Sequence, residues 1–410
     1  MFHKKTIRSH IRLGIVLILF AGCMKAIPTP EPVTIKFPYY ERDAAYYTTL
    51  AEQFHARYPN ITIELVQLNR QNINQTTAND VFIAGQFSLP QLMQQDAILD
   101  LSPMLEQDDA FDREEFYPGA LEAFKSAGKT WGIPSDINVM LMYYNKDLFD
   151  RYSVPYPTMG WKWNDFLDCA LGTTDPDADV FGYAIHHDDE MALMEPIVFI
   201  YQHGGQLFDS WQNPTDLTFN APLNVEALEW YAGLIHNYGV APTRGQGPDS
   251  TSYYPYGGVM QNKYAMWSGM LSDQGGYAWQ MRWQMRWGVV PLPRDRAAFT
   301  LATVDGFFIS AQTLHPDECW KWVMFLSEQM PTQNMPARIA LAESSEYTTL
   351  VGAEVAEAAR AAVGEAILLN PDLLGYEQAL SVLETAFTAI RNGDMTAQAA
   401  LDAAQEQVDF

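Results

Sequence analysis

Cysteine is scarce in this chain, which has three among its 410 residues: Cys23, Cys169 and Cys319. So few cysteines cannot form a disulfide scaffold, and the 48% hydrophobic content must supply the cores instead. Cys169 and Cys319 each lie in an apolar helical pattern, so we expect both to be buried small hydrophobic residues. A single bridge between them is the alternative. The length suggests two or three domains.

Positive charge is also scarce. The 25 Lys and Arg residues face 50 Asp and Glu, which gives a formal charge of −25. Such a chain repels phosphate backbones, so we expect no nucleic-acid partner. Anionic lipid repels it too, so contact with a membrane must have another origin.

Common catalytic motifs are absent. The sequence contains no phosphate-cradling glycine-rich loop and no HExxH, CxxC or GxSxG. We therefore expect no cofactor. The run "HHDDE" (186–190) offers metal-ligand atoms, but such runs are typical of solvated loops, and we predict no metal site. Glycoside hydrolysis needs only two suitably spaced carboxylates, so the acidic composition leaves it open.

Long hydrophobic runs are missing as well. The apolar segment 11–21 is about half of the roughly 20 residues that a spanning helix needs, and it follows a basic stretch. It ends in Ala21-Gly22-Cys23, which resembles a bacterial lipoprotein signal. The resemblance implies that residues 1–22 are removed and that Cys23 is acylated, with 23–32 as a proline-rich tether. A plain signal, with Cys23 incidental, is the alternative.

From Val33 onward, strand and helix patterns alternate. "VTIKFPYY" and "ITIELVQL" predict strands, and the segment between them has apolar residues at four-residue steps typical of a helix. This rhythm predicts an α/β fold with parallel sheets flanked by helices. The Ala-rich stretch 375–410 predicts two terminal helices, broken at "NGD", that pack over one lobe.

Aromatic residues are abundant, with 11 Trp and 21 Tyr. Rings at the ends of elements could stack on sugar rings, although most suit a core or its rim. The residues at such places are Tyr39, Tyr40, Trp161, Trp163, Tyr201, Trp211, Tyr253, Tyr254, Tyr256 and Trp267. In "WQMRWQMRW" (279–287) the tryptophans recur every four residues, and we predict a helical stripe that packs into a core.

Several segments together resemble extracellular solute-binding proteins of the carbohydrate ABC-importer type, the group of the maltodextrin- and glycerol-phosphate-binding proteins. They follow the family's order: "NDVFIAGQFSLPQLMQQDAILDLSPML", "WGIPSDINVMLMYYNKDLFDRYSVPYP", "GGQLFD", "VEALEWYAGLIHNYGVAP", "QNKYAMWSGM", "WGVVPLP" and "DGFFISAQTLHPDECWKWVMFL". The resemblance extends from Val33 to the C-terminus.

The resemblance implies a two-lobe periplasmic-binding-protein-like fold of type II, with a ligand cleft between the lobes and a hinge of three crossovers. The crossovers are expected in "IPSDINVM", near "VVPLP" and near "MPARIAL". Lobe 1 is then expected at 33–136 and 292–334, and lobe 2 at 137–291 and 335–410. A cleft also follows from the predicted sheets, because open α/β sheets bind ligands at the carboxyl ends of their strands.

The resemblance also implies a set of ligand-binding positions, which suit hinge or packing roles as well. They are Tyr40, Gln86, Phe87, Asp136, Asn138, Trp267, Ser268, Gly269, Asp305 and Gly306. Two departures stand out. Met270-Leu271 stands where the family commonly has a Trp, so Trp267 is the expected stacking platform, and Asp305 stands where the first residue of a Gly pair is common.

These expectations combine into a function without catalysis. The chain is expected to be the substrate-binding component of an ABC importer, a monomer held to the cell membrane by lipid outside the cytoplasm, which delivers a sugar to permease subunits. No Arg or Lys occurs among the expected contacts, so an uncharged carbohydrate is favoured over an anionic one. The alternative is a lipid-anchored glycoside hydrolase or lyase that uses Asp136, with Asp305 as the candidate second carboxylate.

Overall fold

The structure is a computed structural model that describes residue 1 and residues 31–68, 76–189, 191–210, 215–248, 256–276, 281–368 and 377–408. Apart from Met1, the predicted signal peptide lies outside the described residues, and so do Cys23 and nearly all of the tether. So do Trp211, Tyr253, Tyr254 and Trp279. Within the described ranges, no helix has the length and apolar character that crossing a bilayer requires.

Strands and helices alternate along most of the chain, as predicted. The strands are β1 (Val33–Tyr40), β2 (Ile61–Leu68), β3 (Val81–Gly85), β4 (Lys125–Ser126), β5 (Lys129–Thr130), β6 (Ile133–Asn145), β7 (Phe181–Ala184), β8 (Tyr264–Met270), β9 (Trp287–Val290), β10 (Thr300–Ile309), β11 (Met335–Pro336) and β12 (Ala366–Leu368). The helices are α1 (Ala44–Arg57), α2 (Leu89–Gln94), α3 (Ser102–Gln107), α4 (Lys146–Tyr152), α5 (Trp163–Thr173), α6 (Met191–Gln202), α7 (Pro222–His236), α8 (Tyr256–Met260), α9 (Pro316–Ser327), α10 (Ile339–Ala342), α11 (Ser345–Val351), α12 (Ala353–Val363), α13 (Glu377–Asn392) and α14 (Ala397–Gln405).

The long strand β6 organises the molecule. Its first half pairs antiparallel with β10, and its second half pairs antiparallel with β8 and β9. At Asp136 and Ile137 it lies between β10 on one edge and the short β11 on the other. The three predicted crossover segments therefore meet at β6.

The large sheet is mixed rather than parallel, which corrects part of the prediction. Parallel pairing occurs in β1–β2, β7–β8 and β10–β12, whereas β6 and β10 pair antiparallel with each other and β3 pairs antiparallel with β10. The physical reason is that β6 and β10 run in opposite directions between the two halves of the molecule. The alternation of strand and helix patterns in the sequence does not show the direction in which each strand runs.

One hydrophobic core forms around β1, β2, β3 and helices α1 and α9. In β1, the buried Ile35 and Phe37 alternate with the exposed Thr34 and Lys36. Trp322 of α9 is fully buried there, with its ring centroid 5.7 Å from Phe37 and 4.9 Å from Phe54.

A second core forms around β7, α6 and α7, and the two terminal helices cover it. Leu383 and Phe387 of α13 and Leu401 of α14 are buried among residues of α6 and α7. The prediction of two C-terminal helices over one lobe is thus confirmed. The lobe boundaries predicted at 33–136 with 292–334 and at 137–291 with 335–410 stay a prediction.

The repeat at 279–287 is not helical in its described part, which corrects the predicted stripe. The buried Trp283 and Met285 alternate with the exposed Gln284 and Arg286, and a strand begins at Trp287. A spacing of four fits an alternation of two as well as a helical turn, so the tryptophans alone could not distinguish them. Cys169 and Cys319 are both free, as favoured over a bridge, although Cys169 is only half-buried.

Candidate functional site

A cavity of about 420 Å³ lies where the crossing strands meet the two cores. We call it the interlobe cavity. Its lining residues are Gly85, Gln86, Phe87, Asn138, Asp189, Met191, Met194, Tyr256, Met270, Asp273, Thr303 and Asp305. Gly85 ends β3, and Gln86 and Phe87 follow it beside the first core, whereas Met191 and Met194 of α6 belong to the second core and Asp189 lies just before α6. Strands β6 and β10 supply Asn138, Thr303 and Asp305, so segments beside both cores and the crossing strands contribute to one site.

Asn138 on β6 is held in place by the segment that follows β8. Its Nδ2 donates to Ser272 Oγ at 3.1 Å, and its Oδ1 accepts from the Ser272 backbone nitrogen at 3.0 Å. Its cross-strand partner on β10 is Thr303. These contacts fix a half-buried amide at the floor of the cavity, where it can also face a ligand.

The wall from the first lobe begins where β3 ends. Gln86 is fully buried, and its Oε1 accepts a hydrogen bond from the Val304 backbone nitrogen at 2.9 Å. Phe87 is half-buried and presents an aromatic side chain to the cavity. The predicted pair therefore lines the cavity, with Gln86 also tying the wall to the crossing strand.

The wall from the second lobe carries an ion pair. Asp189 accepts from the Ala192 backbone nitrogen at 3.1 Å, and its other oxygen lies 2.7 Å from His186 Nδ1. Burial alone would lower the pKa of His186, but the Asp189 carboxylate raises it to about 9. The His186 charge in turn lowers the pKa of Asp189, against the effect of burial. Asp189 is therefore an ionised carboxylate in a fixed orientation.

Asp273 and the methionines complete this wall. Asp273 is 8% exposed, and its Oδ2 accepts from the Met270 backbone nitrogen at 2.9 Å. Met191, Met194 and Met270 add apolar surface. The wall thus combines carboxylates with adaptable thioether side chains, which suits a ligand with hydroxyl groups and apolar faces.

A second cavity, of about 280 Å³, adjoins the first lobe, and the two cavities share Gly85 and Asp305. We call it the tyrosine pocket, because Tyr39, Tyr40, Tyr46 and Tyr47 line it. Its other lining residues are Pro38, Arg42, Asp43, Leu68, Thr76, Ile83, Ala84, Gly85, Ser135, Asp136, Asp305, Phe307, Leu326, Gln329, Pro331, Thr332, Gln333 and Asn334.

Two carboxyl groups lie side by side between these cavities. Asp136 on β6 and Asp305 on β10 are direct cross-strand partners. Asp136 accepts from Asn334 Nδ2 at 2.6 Å and from Ser135 Oγ at 2.7 Å. Burial raises the pKa of Asp136 against these hydrogen bonds. Burial and the neighbouring Asp136 charge raise the pKa of Asp305 to about 7.

Six of the ten predicted site residues line one or both of the two cavities. Gln86, Phe87, Asn138 and Asp305 line the interlobe cavity, and Tyr40, Asp136 and Asp305 line the tyrosine pocket. Whether each contacts a ligand stays a prediction.

Four predicted residues line neither cavity, and each has a packing role instead. Trp267 is fully buried and stacks on Tyr143 with ring centroids 6.0 Å apart, so it is not an accessible stacking platform. Ser268 is 1% exposed and donates to Glu195 at 2.6 Å.

The two glycines allow close packing. A Cβ at Gly269 would lie 3.0 Å from the Asp273 carboxylate, and one at Gly306 would lie 2.6 Å from the Phe124 ring. The "AM…G" segment is a buried strand, β8, and the residues that face the cavity come at its end and after it.

The expected ligand contacts do not include Asp189, Asp273 and Asn334, which are among the polar lining residues, whereas Tyr256 is one of the aromatic residues named above for stacking on sugar rings. Some signals were available. Asp189 belongs to the quoted "HHDDE" run, and Asn334 directly precedes the third predicted crossover. Asp273 follows the "AM…G" segment by a few residues, but nothing in its neighbours marks it.

The lining of the interlobe cavity is acidic, and His186, the charged partner of Asp189, is not one of its lining residues. The described lining contains Asp189, Asp273 and Asp305 but no Lys, Arg or His. Across the described ranges, no group of three or more His, Cys, Asp or Glu side chains is arranged to hold a metal ion. The site therefore offers hydrogen-bond acceptors rather than anion-binding groups.

Comparison with solved structures places this fold. The chain resembles an ABC substrate-binding protein of Listeria monocytogenes in complex with cycloalternan, with a TM-score of 0.71 and 21% identity over 92% of this chain and 98% of that one. It also resembles the sugar-binding protein MalE of Xanthomonas citri, with a TM-score of 0.74 and 17% identity over 92% and 96%. These likenesses confirm the predicted two-lobe fold of type II.

Sequence comparison agrees. An arabinooligosaccharide-binding protein of Halalkalibacterium halodurans is 25% identical over 144 residues, which are 35% of this chain and 31% of that protein. The chain spans about a third of the length of the first curated relatives that it matches. The family model of the bacterial extracellular solute-binding proteins matches residues 39–330, more than half of the chain, and the chain belongs to that family.

Proposed function

We propose that this chain is the substrate-binding component of an ABC importer and that it captures an uncharged sugar or oligosaccharide in the interlobe cavity. It then delivers the sugar to permease subunits in the membrane. The family is one of solute-binding proteins, which favours binding over the glycoside hydrolase alternative.

The observation that carries this proposal is the shared construction of the interlobe cavity. Phe87 comes from the first lobe, Asp189 from the second and Asn138 from the crossing strand between them. A ligand that contacts all three stabilises whichever arrangement of the lobes brings them together. Ligand binding is thereby converted into a change of shape that a permease can recognise.

The lining favours a neutral polyhydroxylated ligand. Its volume of about 420 Å³ falls in the range of roughly 300–1,000 Å³ that small-molecule sites occupy. Carboxylates and an amide accept hydroxyl hydrogens, and Phe87 and Tyr256 offer faces for the apolar side of a sugar ring. An anionic ligand would normally require Arg or Lys, which the described lining lacks.

The lipid anchor and the location of the protein are proposed from the sequence. We expect acylation of Cys23, a location outside the cytoplasm at the cell membrane, and a monomeric protein without cofactor. Mass spectrometry of membrane-extracted protein should find lipid on Cys23 and no residues before it. An unmodified N-terminus elsewhere would contradict this anchor. Replacing Cys23 with Ser should release a folded protein.

The ligand to test first is an arabino-oligosaccharide, because a relative is named for binding that class. Calorimetric titration of the purified chain with arabinotriose, maltotetraose and glucose 6-phosphate should show binding confined to a neutral sugar. Asn138→Ala should weaken that binding. Asn220→Ala is the matched control, because Asn220 is exposed and donates to Asp402 outside both cavities.

Two outcomes would contradict the proposal. Tight binding only of the sugar phosphate would show that the ligand is anionic. Release of shorter sugars, measured by chromatography after long incubation, would show that the protein is an enzyme. Unchanged sugar together with a raised melting temperature would support capture without chemistry.

A further inference from the structure

Asp305 occupies an unusual position in the hinge. It is the cross-strand partner of Asp136 on one edge of β10 and of Gly85 on the other. Directly opposed residues place their Cβ atoms about 4.5–5.5 Å apart, and two like charges at that separation destabilise each other. The pairing register shifts between Asp305 and Gly306, so the strand is irregular at this point. Asp305 thus places a second carboxyl group beside Asp136, at a position where the family resemblance implies that glycine is common.

The two carboxyl groups are not equivalent. Asp136 receives hydrogen bonds from Asn334 and Ser135. Asp305 receives none, and makes no ion pair, with any residue in the described part of the chain. A carboxyl group with little water and no partner is costly unless it is protonated or meets a ligand. Of the two groups, Asp305 is therefore the one that keeps its proton more readily, since Asp136 has the donors that favour its charge.

The surroundings supply no compensating charge. On the tyrosine-pocket side, Asp305 shares its lining with Arg42, Asp43, Tyr46 and Tyr47, and Arg42 is directed to Asp43 at 3.4 Å. On the interlobe side, the facing titratable groups are Asp189, Asp273 and Tyr256. Gly85 on β3 contributes none. Asp305 therefore borders both cavities without a positively charged side chain of the described residues paired to it.

The groups already bound to Asp136 are hydrogen-bond donors. Asn334 presents its Nδ2 and Ser135 its hydroxyl. A cation site would need the oxygen of the amide turned inward, whereas this arrangement extends a set of donors around a carboxylate. Neighbouring hydroxyl groups of a sugar continue that pattern, because each can donate to one carboxylate.

We infer that Asp305, which borders both cavities, is a specificity-determining residue: with Asp136, which lines the tyrosine pocket, it accepts hydrogen bonds from two adjacent hydroxyl groups of a neutral polyol that extends from the interlobe cavity into that pocket, and binding releases the Asp305 proton to solvent. The inference rests on the proposed function, since it names how that site selects its sugar. No bond other than hydrogen bonds forms or breaks, and the proton passes to the buffer.

The sign of the pH dependence follows. Hydroxyl groups donate more strongly to a carboxylate than to a carboxylic acid, so the ligand favours the ionised pair. By linkage, ligand lowers the pKa of Asp305, which is about 7 in the free protein. Affinity must therefore rise as pH rises toward and through neutrality and level off above it. The ligand competes with a proton at low pH only.

Calorimetric titration tests this with arabinotriose and maltotetraose at pH 5.5, 6.5 and 8.5, in buffers of different protonation enthalpy. The wild-type Kd should tighten about 5- to 20-fold from pH 5.5 to 8.5, as a pKa lowered by about one unit implies. Roughly half a proton should be released at pH 6.5 and almost none at pH 8.5.

Variants separate charge from space. Asp305→Asn keeps the shape of the side chain and should abolish both the pH dependence and the proton release, with binding at pH 8.5 about 5- to 20-fold weaker. Asp305→Gly should do the same while removing the side chain that borders both cavities. Asp109→Asn, at an exposed site, is the matched control and should behave as the wild type. Circular dichroism and the melting temperature verify that each variant folds.

The outcomes distinguish this inference from the proposed function. Sugar binding that is independent of pH and releases no proton would overturn the inference and leave the function standing. Wild-type behaviour of Asp305→Asn would do the same. If calcium chloride raised the melting temperature of the wild type but not of Asp305→Asn, the pair would be a cation site and the inference wrong. If neither sugar bound the wild type, both would fail.

Discussion

Glu195 and Asp305 are both carboxyl groups with restricted access to water, but their surroundings differ sharply. Glu195, in the second core, is 1% exposed and accepts hydrogen bonds from the hydroxyl groups of Tyr183, Tyr231 and Ser268. Asp305 accepts none from the described chain and borders two cavities. A buried polar group with every partner in place specifies a core, whereas one without partners at a cavity is available to a ligand.

The same contrast applies to two parts of the predicted site. Strand β8, with Trp267 and Ser268, faces the interior on both sides. The crossing strands place Asn138 and Asp305 at cavities. Substitutions in the first region should therefore change stability, and those in the second should change ligand binding.

The largest effect is expected for Trp267→Ala. The side chain is fully buried against Tyr143 and Trp283, so truncation should leave a cavity and reduce the free energy of unfolding by about 3–5 kcal/mol. Urea unfolding followed by circular dichroism measures it. Tyr256→Ala, at the interlobe cavity, is the comparison and should have a much smaller effect on stability. If Trp267→Ala were as stable as the wild type but no longer bound sugar, the prediction that Trp267 stacks on the ligand would be supported instead.

Glu195→Ala should come next. It removes the acceptor of three hydroxyl groups in the second core and leaves them unpaired, at a cost of about 2–4 kcal/mol. Glu195→Gln keeps one acceptor oxygen and should cost less. The midpoint of urea unfolding measures the loss of stability in both variants. The sugar affinity of the folded protein should be unchanged. An affinity change at full stability would place Glu195 in the ligand site and break the comparison.

These cases show what the sequence could and could not predict. Patterns of apolar residues identified β1, α1, β2 and the terminal helices, because burial on one face leaves a period in the chain. The family-like segments located the crossovers. They could not show that Trp267 points inward, since a strand buried on both faces has no alternation to read. Contacts between distant segments, such as Asn334 with Asp136, leave no local signal.

Asp136→Ala tests the other side of the comparison. Its carboxylate is expected to accept a hydroxyl of the sugar, so the variant should bind about 1.5–3 kcal/mol more weakly, the usual worth of a hydrogen bond to a charged group. Stability should change little, because the loss of two hydrogen bonds is offset by removal of the charge opposed to Asp305. Calorimetric titration beside Asp109→Ala measures this. Wild-type affinity would show that the tyrosine pocket lies outside the site.

Asp189 combines both features, since it lines the interlobe cavity and yet has a fixed partner in His186. The smallest effect is predicted here. The pKa of His186 is raised from 6.5 to about 9 in the folded chain, so its ion pair contributes fully below about pH 6.5 and is lost as pH rises through 9. The wild type should therefore be more stable than His186→Gln at pH 6, and this advantage should shrink by pH 9.5, measured by urea unfolding. His55→Gln, at an exposed histidine, is the control. An advantage that stayed constant across this range would mean that His186 stabilises the wall by packing and neutral hydrogen bonds, and that Asp189 is not oriented by charge.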